Sequence, residues 1–589
     1  MPPPSPTPEQ PTAPPPSCPD YFRHIHSDLE RWRVSGITRE AVERAQPKAA
    51  FRLTVVSGRA YVETYHRAFQ TRDVFTQWGI LQLLARYPGR VPDVDVMFNL
   101  EDMPEFRAAD YPDPATAPPL FRYCKDGSSL EVLWPDWSFW GWSEVNIRPW
   151  APLVEEVGEE NTRLPWQDRE AYAFWKGNPY VSEARRDLFR CNNDSAAGKE
   201  WNARLFKQDW DAAIRNGFKD SNLAKQCRYR YMIYVQGRSW SVSEKYILAC
   251  DSPMLAIDTP FRDFFSRGLV AGKHYWPIDP ADKCRAVKFA VDWGNSHPAQ
   301  ARRIGQEGSG FAREEMSMDY VYDYMLHVLK QYAALLRYTP TVPEKAVELC
   351  PESMACPAQG RDREFMMQSR ERYVATYEPC TLPPPFTAEE VTRMAAREED
   401  VRRKVAKMEG RQFPELTMDA FANALRPNKF TGVHFKRCQI KAALWLTHLK
   451  VFEVSNVLPE GTIPEQDQKK FKEDSTLFVG CVLSILVDRL CDVYMHIVDG
   501  KELWDALSAK FGSTDVGSEL YIMKSFHDIM MVNNRSVVEQ ANEIQCIAKE
   551  FELLKCALPD KFVAGCIIAK LPPSWRNFAT TLKHKTQEI

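Results

Sequence analysis

No charge of one sign dominates this 589-residue chain, in which 76 lysines and arginines face 79 aspartates and glutamates for a formal net charge of −3. This balance excludes the polycationic character of a protein whose main task is to coat nucleic acid. No apolar run reaches the roughly 18 residues of a membrane span. The closest run, TLFVGCVLSILV at 476–487, is followed by Asp488 and Arg489, so it predicts a buried amphipathic helix.

The length and composition predict several domains behind a disordered start. A chain of 589 residues exceeds one core, so about two to four domains are expected. Residues 1–17, MPPPSPTPEQPTAPPPS, predict a disordered proline-rich leader, and they lack the basic and apolar regions of a signal peptide. The 15 cysteines are odd in number, which excludes complete pairing within the chain. The 17 tryptophans fit a large aromatic core as well as they fit stacking on sugars or bases.

Strands and helices alternate in the first two thirds of the sequence. FRLTVVSGRAYVETYH predicts two strands around Ser57-Gly58, VFTQWGILQLLARYPG predicts a helix, and VDVMFNL predicts a third strand. RYRYMIYVQG (228–237), KYILACD (245–251) and PMLAI (253–257) predict further strands, and helices follow at 321–338 and 389–410. This order predicts an α/β fold with a parallel sheet. From about residue 411 the pattern becomes almost wholly helical, which predicts a second and unrelated module.

Two pairs of acids lie on and after the VDVMFNL strand. Asp93 and Asp95 form an Asp-x-Asp pattern, which can hold a divalent metal ion. Glu101 and Asp102 come at the end of the strand, where an enzyme can place a general base. Asp93 and Asp95 also alternate with apolar residues, as they would on one face of a strand. The residues alone leave these interpretations open.

Three further stretches have the composition of a nucleotide-sugar site. In FWKGNPYVSEARRDLFRCN (174–192) a turn at Asn178 leads into a helix that carries Arg185, so amides and a guanidinium can meet a diphosphate. In YRYMIYVQGRSWSVS (229–243) an apolar strand runs to Gly237 and a polar loop follows, where α/β sheets bind ligands. LWPDWSFWGWSEVNIRPW (133–150) contains five tryptophans. For each stretch taken alone, an ordinary turn, a polar hairpin or an aromatic core stays the plain alternative.

The order of these stretches resembles the Rumi-type protein O-glucosyltransferase family, and more closely the plant branch of its capsule-associated-protein-type glycosyltransferases. The resemblance covers about residues 18–410. It is carried by FNLEDMP, PDWSFWGW, WKGNPYVSEAR, VQGRSWSVSEKYILACDS, HYWPI (274–278), KFAVDWGNSH (288–297) and MDYVYDYMLHVLKQYA (318–333). It implies a GT-B-type α/β fold with two Rossmann-like lobes, an acceptor-side lobe at about 18–165 and a donor-side lobe at about 166–345, with a Cys/Pro-rich and helical tail to 410.

The resemblance also implies an activity and the residues that perform it. It implies inverting, metal-independent transfer of glucose or xylose from a UDP-sugar co-substrate to a hydroxyl of a protein or glycan, with no cofactor. Asp102 matches the family's general base, which leaves Asp93 and Asp95 as strand residues. Cys227 and Cys250 match a family disulfide. The implied donor-binding residues are Ser138, Phe139, Trp140, Asn178, Arg185, Gly237, Arg238, Ser239, Trp240, Ser241, Val242 and Ser243.

From about residue 413 the sequence is similar to the gag portion of copia-type retrotransposons. The matching stretches include LRPNKFTGVHFKRCQIKAALWL (425–446), LWDALSAKFGSTDVGSELYIMKSF (503–526) and LPDKFVAGCIIAKLPPSWRNFATTLKHKTQEI (558–589). The similarity implies an all-α assembly domain at 411–589 that self-associates and catalyses nothing, and the sequence contains no zinc knuckle for RNA. The implied packing residues are Trp445, Trp504, Phe511, Leu554 and Trp575.

Three functions remain open from the sequence. The first is a UDP-sugar transferase, the second is a gag-like assembly protein that carries the transferase as a passenger, and the third is a sugar-nucleotide-binding pseudoenzyme. Members of the transferase family work in the lumen of the endoplasmic reticulum or Golgi, so the resemblance implies that location, although no signal peptide or anchor is expected from the sequence. The donor sugar and the acceptor are not determined by these patterns.

Overall fold

The structure is a computed structural model that describes residues 16–111, 113–192, 200–411, 465–486 and 488–511, together with the isolated positions 442, 446 and 451. The chain divides into two compact units, Met1–Phe413 and Pro414–Ile589. The first unit is a mixed α/β structure with two sheets.

The strands of the first unit are β1 (Phe51–Val56), β2 (Arg59–Thr64), β3 (Val94–Phe98), β4 (Phe121–Arg122), β5 (Val132–Leu133), β6 (Glu170–Gly177), β7 (Ala203–Lys207), β8 (Tyr229–Tyr234), β9 (Met254–Ile257), β10 (Tyr275–Ile278) and β11 (Val347–Leu349). Its helices are α1 (His24–Leu29), α2 (Arg39–Glu43), α3 (Arg72–Arg86), α4 (Trp150–Arg163), α5 (Glu183–Leu188), α6 (Trp210–Arg215), α7 (Ser243–Leu248), α8 (Lys283–Ser296), α9 (Pro298–Glu314), α10 (Met318–Ala333), α11 (Pro351–Ala355), α12 (Gly360–Gln368) and α13 (Ala388–Met408).

The first sheet has the strand order β11-β2-β1-β3-β4-β5. β1 and β2 form the predicted hairpin, and its turn residues Ser57 and Gly58 have φ of 51° and 75°. Positive φ at both turn residues matches the right-handed twist of paired strands. β3 pairs antiparallel with β1 and parallel with β4, which pairs parallel with β5. This sheet is therefore mixed, whereas the sequence predicted a parallel one.

The second sheet has the order β10-β9-β8-β6-β7, and all of its neighbouring strands are parallel. The strand predicted at 245–251 is wrong, because Ser243–Leu248 forms α7. β8 and β9 are parallel neighbours, so the chain between them must cross back over the sheet, and a helix makes that crossing. A short apolar run fits a buried strand and a buried helix alike, so the local pattern did not separate them.

Two apolar cores fill the first unit. The larger core surrounds the first sheet and α10, where Val321, Leu326 and Leu329 are fully buried. The smaller core lies against the second sheet and includes Ile233 of β8 and Val287 of α8. With the strands anchored in this way, the chain segments that follow β3 and β8 are held in fixed positions.

Three disulfides cross-link the first unit. Cys227 pairs with Cys250, the pair that the family resemblance implied, and ties the segment before β8 to the segment just after α7. The other pairs, which the sequence did not predict, are Cys18–Cys380 and Cys191–Cys284, with partners 362 and 93 residues apart.

The described parts of the second unit are helical, with α14 (Glu465–Ser484), α15 (Asp488–Tyr494) and α16 (Gly500–Phe511). Trp504 and Phe511 lie partly buried against a core that contains Phe478 and Leu503. Three other predicted packing residues lie outside the described residues: Trp445, Leu554 and Trp575. The all-α character of the whole unit therefore stays a prediction. Within the described ranges, no helix is both long and apolar enough to span a bilayer.

Candidate active site

Asp102 lies just beyond the carboxyl end of β3. Its Oδ1 is 3.0 Å from Nη1 of Arg72, the first residue of α3. Arg72 is buried, its Nη1 also donates to the Leu100 carbonyl at 2.8 Å, and its guanidinium carbon lies 4.6 Å from the centre of a Trp137 ring. These contacts fix the guanidinium, which in turn orients the carboxylate. The Asp102 side chain remains 27% exposed, so a substrate can reach it.

The loop after β8 contacts the Asp102 turn directly. Ser239 is fully buried, and its Oγ donates to the Asp102 carbonyl at 2.6 Å. The Cys124 thiol lies 3.2 Å from the same carbonyl and 3.3 Å from Ser239 Oγ, so its one proton serves either acceptor. Gly237 N donates to the Trp240 carbonyl at 3.1 Å, and a Cβ on Gly237 would lie 2.9 Å from that oxygen. A side chain at position 237 would therefore press on the backbone where this loop turns back toward Trp240.

Arg185 of α5 reaches the same loop from the neighbouring helix. Its Nε donates to the Gln236 carbonyl and its Nη2 donates to Ser241 Oγ, both at 3.0 Å. Ser241 Oγ lies 2.9 Å from Ser243 Oγ at the start of α7. Burial lowers the pKa of Arg185, with the tyrosines nearby and Asp102 acting in the opposite direction. A partly desolvated guanidinium beside two hydroxyls is a suitable binding site for an anionic group.

The other residues predicted to bind the donor have side chains in separate surroundings. Arg238 is exposed, and Trp240 is buried against the rings of Tyr123 and Trp137. Val242 packs against the larger core. Asn178 Oδ1 accepts from the backbone N–H two residues later at 2.9 Å, so its side chain closes its own turn.

The tryptophan-rich stretch is core rather than an open platform. Phe139 and Trp140 are fully buried, and Trp140 Nε1 donates to Tyr322 OH at 3.0 Å. Both rings therefore contact protein and offer no free face to a sugar. Ser138 is buried too, and its Oγ accepts from Lys245 Nζ at 2.7 Å. The fold supplies acceptors for the indole N–H groups of Trp140, Trp142 and Trp150, whereas those of Trp134 and Trp137 are buried without a hydrogen-bond partner.

Sequence reasoning missed a buried charged group that supports the loop. Lys245 of α7 lies 3.2 Å from Asp136 Oδ2, and their side chains are 1% and 3% exposed. The adjacent Glu244 is also buried, and desolvation, followed by the charge of Asp263, raises the pKa of Glu244 to about 8. The available signal was the pair of charged residues Glu244 and Lys245 at the start of an apolar run. That run, 245–251, was predicted to be a strand. Arg72 gave no signal beyond that of a charged residue at a helix start.

Comparison with known proteins identifies the family of the first two thirds of the chain. The sequence model of glycosyl transferase family 90 matches residues 13–409, about two thirds of the chain. The chain belongs to glycosyl transferase family 90. The model for the gag-polypeptide of LTR copia-type elements matches residues 443–589.

The curated relatives of this family 90 chain bear names of glucosyltransferases. O-glucosyltransferase rumi of Drosophila melanogaster is 22% identical over 348 residues, which cover 57% of this chain and 82% of the relative. Protein O-glucosyltransferase 1 of Homo sapiens is 25% identical over 337 residues, covering 55% and 82%. Protein O-glucosyltransferase 2 of Danio rerio is 25% identical over 337 residues, covering 55% and 64%.

In this family 90 transferase the Asp-x-Asp acids have structural partners at the other end of β3 from Asp102. Asp95 is fully buried and accepts from Arg52 Nε at 2.6 Å and from Tyr338 OH at 2.8 Å. Asp93 Oδ1 accepts from the Ser57 backbone N–H at 2.8 Å and closes the hairpin turn. Three to five residue steps of strand, about 10–16 Å, lie between these acids and the end of β3 that leads to Asp102.

Among the described residues, one group of three possible metal ligands lies together, formed by Cys18, His327 and Cys380. Its two sulfurs are already joined in a disulfide, and His327 Nε2 lies 2.7 Å from the Cys380 carbonyl. A disulfide leaves no thiolate for a metal ion. Whether the transferase acts without a metal stays a prediction for experiment.

Proposed function

We propose that the first unit is an inverting, UDP-sugar-dependent transferase with Asp102 as its general base. The observation that carries this proposal is the 2.6 Å hydrogen bond from Ser239 Oγ to the Asp102 carbonyl, because it joins the base and the proposed donor loop in one site. Membership of family 90 and the glucosyltransferase relatives support glucose as the transferred sugar, with xylose as the alternative. The same relatives support a hydroxyl of a protein as the acceptor, and a glycan hydroxyl is the alternative.

The reaction requires one proton transfer and one displacement. A carboxylate oxygen of Asp102 takes the proton from the acceptor hydroxyl as that oxygen attacks the anomeric carbon. The new bond to the sugar forms opposite the breaking bond to the β-phosphate of UDP, so a single displacement inverts the anomeric centre. Arg72 holds the carboxylate from the side away from solvent.

The leaving UDP needs compensation for its developing negative charge. Arg185 and the hydroxyls of Ser241 and Ser243 lie together at the carboxyl end of β8 and form the proposed diphosphate site. A fixed guanidinium and preorganised donors stabilise such charge without reorganising during the reaction. On this proposal the site uses them in place of a metal ion.

The proposed location is an oxidising lumen, that of the endoplasmic reticulum or Golgi. The three disulfides among the described residues support it, because such bonds persist in oxidising compartments and are rare in the cytosol. We further propose that the two sheets are the cores of two GT-B-type lobes, which is supported by the wholly parallel second sheet and by family membership.

The test uses the full chain produced in an oxidising host. UDP release is measured from UDP-glucose, UDP-xylose and other UDP-sugars, with water and with serine peptides as acceptors, in the presence and absence of EDTA. Asp102→Asn removes the base and keeps the shape of the side chain, and Asp93→Asn, just before the other end of β3, is the matched control. The expected result is EDTA-insensitive release from one donor that Asp102→Asn abolishes and Asp93→Asn preserves.

Other outcomes reject specific parts of the proposal. Release that requires a divalent metal would reject the metal-free mechanism. Retained activity in Asp102→Asn would reject the assignment of the base. UDP binding without release from any donor would favour a sugar-nucleotide-binding pseudoenzyme.

The match to copia-type gag over 443–589 favours a second role for the second unit, namely self-association. The helical core around Phe478, Leu503 and Trp504 is consistent with an assembly domain. Light scattering of the full chain over a range of concentrations tests this role. A mass that stays at that of one chain at the highest concentration would exclude it.

A further inference from the structure

An aromatic ring is held outside the core beside the Arg72–Asp102 pair. The Phe69 side chain is 58% exposed, and the guanidinium carbon of Arg72 lies 5.3 Å from the centre of its ring. The same guanidinium contacts the Asp102 carboxylate at 3.0 Å. A single guanidinium group therefore separates an exposed aromatic ring from the proposed base.

The turn that presents this ring is strained and firmly held. Gln70, the next residue, has φ of 57°, a left-handed conformation that non-glycine residues seldom adopt. Its Oε1 accepts from Trp142 Nε1 at 2.8 Å, and Thr71 Oγ1 donates to Glu144 Oε2 at 2.8 Å. A strained backbone that exposes an aromatic ring is doubly unfavourable for folding. Such strain persists where the surroundings enforce it, and it is concentrated at functional sites.

A second exposed apolar residue is the sequence neighbour of the base. Met103 directly follows Asp102 and is 39% exposed. Single exposed apolar residues are ordinary on protein surfaces. Here, however, two of them come from separate chain segments near the same partly exposed carboxylate, Phe69 through its contact with Arg72 and Met103 as the residue after Asp102.

We propose that Phe69 and Met103 form the acceptor contact of Asp102 and receive an apolar side chain of a protein that lies next to the hydroxyl being glycosylated. This inference rests on the proposed function and names its acceptor class. The flexible thioether of methionine adapts to irregular apolar side chains. One face of the Phe69 ring is already taken by Arg72, so the ring offers its remaining face and edge. A glycan would instead present hydroxyls, for which these two side chains supply no partner.

The test measures acceptor recognition apart from donor recognition. The full chain is given UDP-glucose and pairs of serine peptides in which the residues beside the serine are either leucine or glutamine. Phe69→Ala is expected to raise KM for the leucine-flanked peptide about tenfold, as for a truncated aromatic anchor. Met103→Ala is expected to raise it about threefold. KM for UDP-glucose in the hydrolysis reaction without peptide is expected to stay within twofold of wild type.

Two controls separate contact from general damage. Phe69→Leu keeps an apolar group and is expected to restore most of the acceptor affinity, with kcat close to that of wild type. Tyr373→Ala removes another strongly exposed aromatic residue, 82% exposed, which none of the described contacts links to Asp102, and it is expected to change nothing. An equal rise of KM for both peptides and for the donor would overturn the inference, because it would indicate a damaged site.

Direct binding keeps the inference testable if no transfer occurs. Fluorescence anisotropy of labelled peptides is measured with the full chain saturated with UDP. Binding that prefers the leucine-flanked peptide and is lost in Phe69→Ala would support the acceptor contact even if no donor is turned over, which would refute only the proposed reaction. Three outcomes would each overturn the inference. They are transfer or binding confined to oligosaccharides, no binding of either peptide, and an unchanged KM for the acceptor peptide in Phe69→Ala.

Discussion

Asp95→Asn is expected to destabilise the first unit by about 3 kcal/mol and to leave transfer intact in the protein that stays folded. The Asp95 carboxylate is fully buried and accepts hydrogen bonds from Arg52 Nε at 2.6 Å, Arg52 Nη2 at 2.5 Å and Tyr338 OH at 2.8 Å. Asparagine keeps the shape and loses the charge, so the buried Arg52 guanidinium remains without its counter-ion. Breaking a buried pair costs about 3–5 kcal/mol, and the lower end applies because the amide oxygen still accepts one bond.

The assay is urea denaturation of the full chain followed by tryptophan fluorescence, since most of the tryptophans lie in the first unit. The matched control is Asp93→Asn. Asp93 accepts one hydrogen bond, from Ser57 in an exposed turn, and asparagine can still accept it. The expected loss for this control is at most about 1 kcal/mol.

The reasoning is refuted if Asp95→Asn unfolds within about 1 kcal/mol of the wild type, because the buried pair would then not act as described. A functional result would also refute the structural role of Asp95. If Asp95→Asn folds normally but is inactive, and EDTA inactivates the wild type, Asp95 is a metal ligand rather than a structural residue.

Three further predictions concern other parts of the first unit. Cys124→Ala is expected to lower kcat about three- to tenfold in steady-state assays, because it removes one hydrogen bond to the Asp102 turn. Cys124→Ser keeps a donor and is expected to retain the activity of the wild type. A loss of activity in Cys124→Ser as well would contradict this role. Replacing the Cys18–Cys380 disulfide by two serines is expected to lower the free energy of unfolding by about 2–5 kcal/mol, and an unchanged urea midpoint would contradict this. Burial raises the pKa of the Glu244 carboxyl from 4.5 to about 8, so the folded state retains a proton that the unfolded state loses, and stability falls as pH rises from about 5 to 8. Melting temperatures across this range are expected to decline less in Glu244→Gln, and parallel curves would refute the assignment.

Local patterns in the sequence were sufficient for much of the fold. The hairpin around Ser57-Gly58 was predictable because two alternating strands flank a turn whose residues accept positive φ. α3, α10 and α13 were predictable because their apolar residues recur with helical spacing over long segments. The strand prediction for 245–251 was wrong, because this segment connects the parallel strands β8 and β9 and must cross back over the sheet. A short stretch of sequence carries no information about which strands become neighbours.

The candidate site divides in the same way. Asp102 and the loop at 237–243 came from a resemblance over a long stretch of sequence, and the structure brings them within hydrogen-bonding distance. Arg72 and Cys124 could not be predicted, because each contacts Asp102 only after separate strands and helices have packed. Phe139 and Trp140 have the composition of a sugar platform, but whether a ring is covered depends on neighbours such as Tyr322, which are distant in sequence.

The link between Cys18 and Cys380 has a consequence for the connectivity of the first unit. It ties the start of the described chain to the segment just before α13, and Cys18 N also donates to the Thr381 carbonyl at 2.9 Å. α13 then packs back onto the same unit through Arg402 and Asp258, 3.0 Å apart. Residues 18–380 are thus closed into a covalent loop, and the chain continues from that loop into α13. Because the loop closes at Cys380, the sequence that follows Phe413 is attached to the chain outside it.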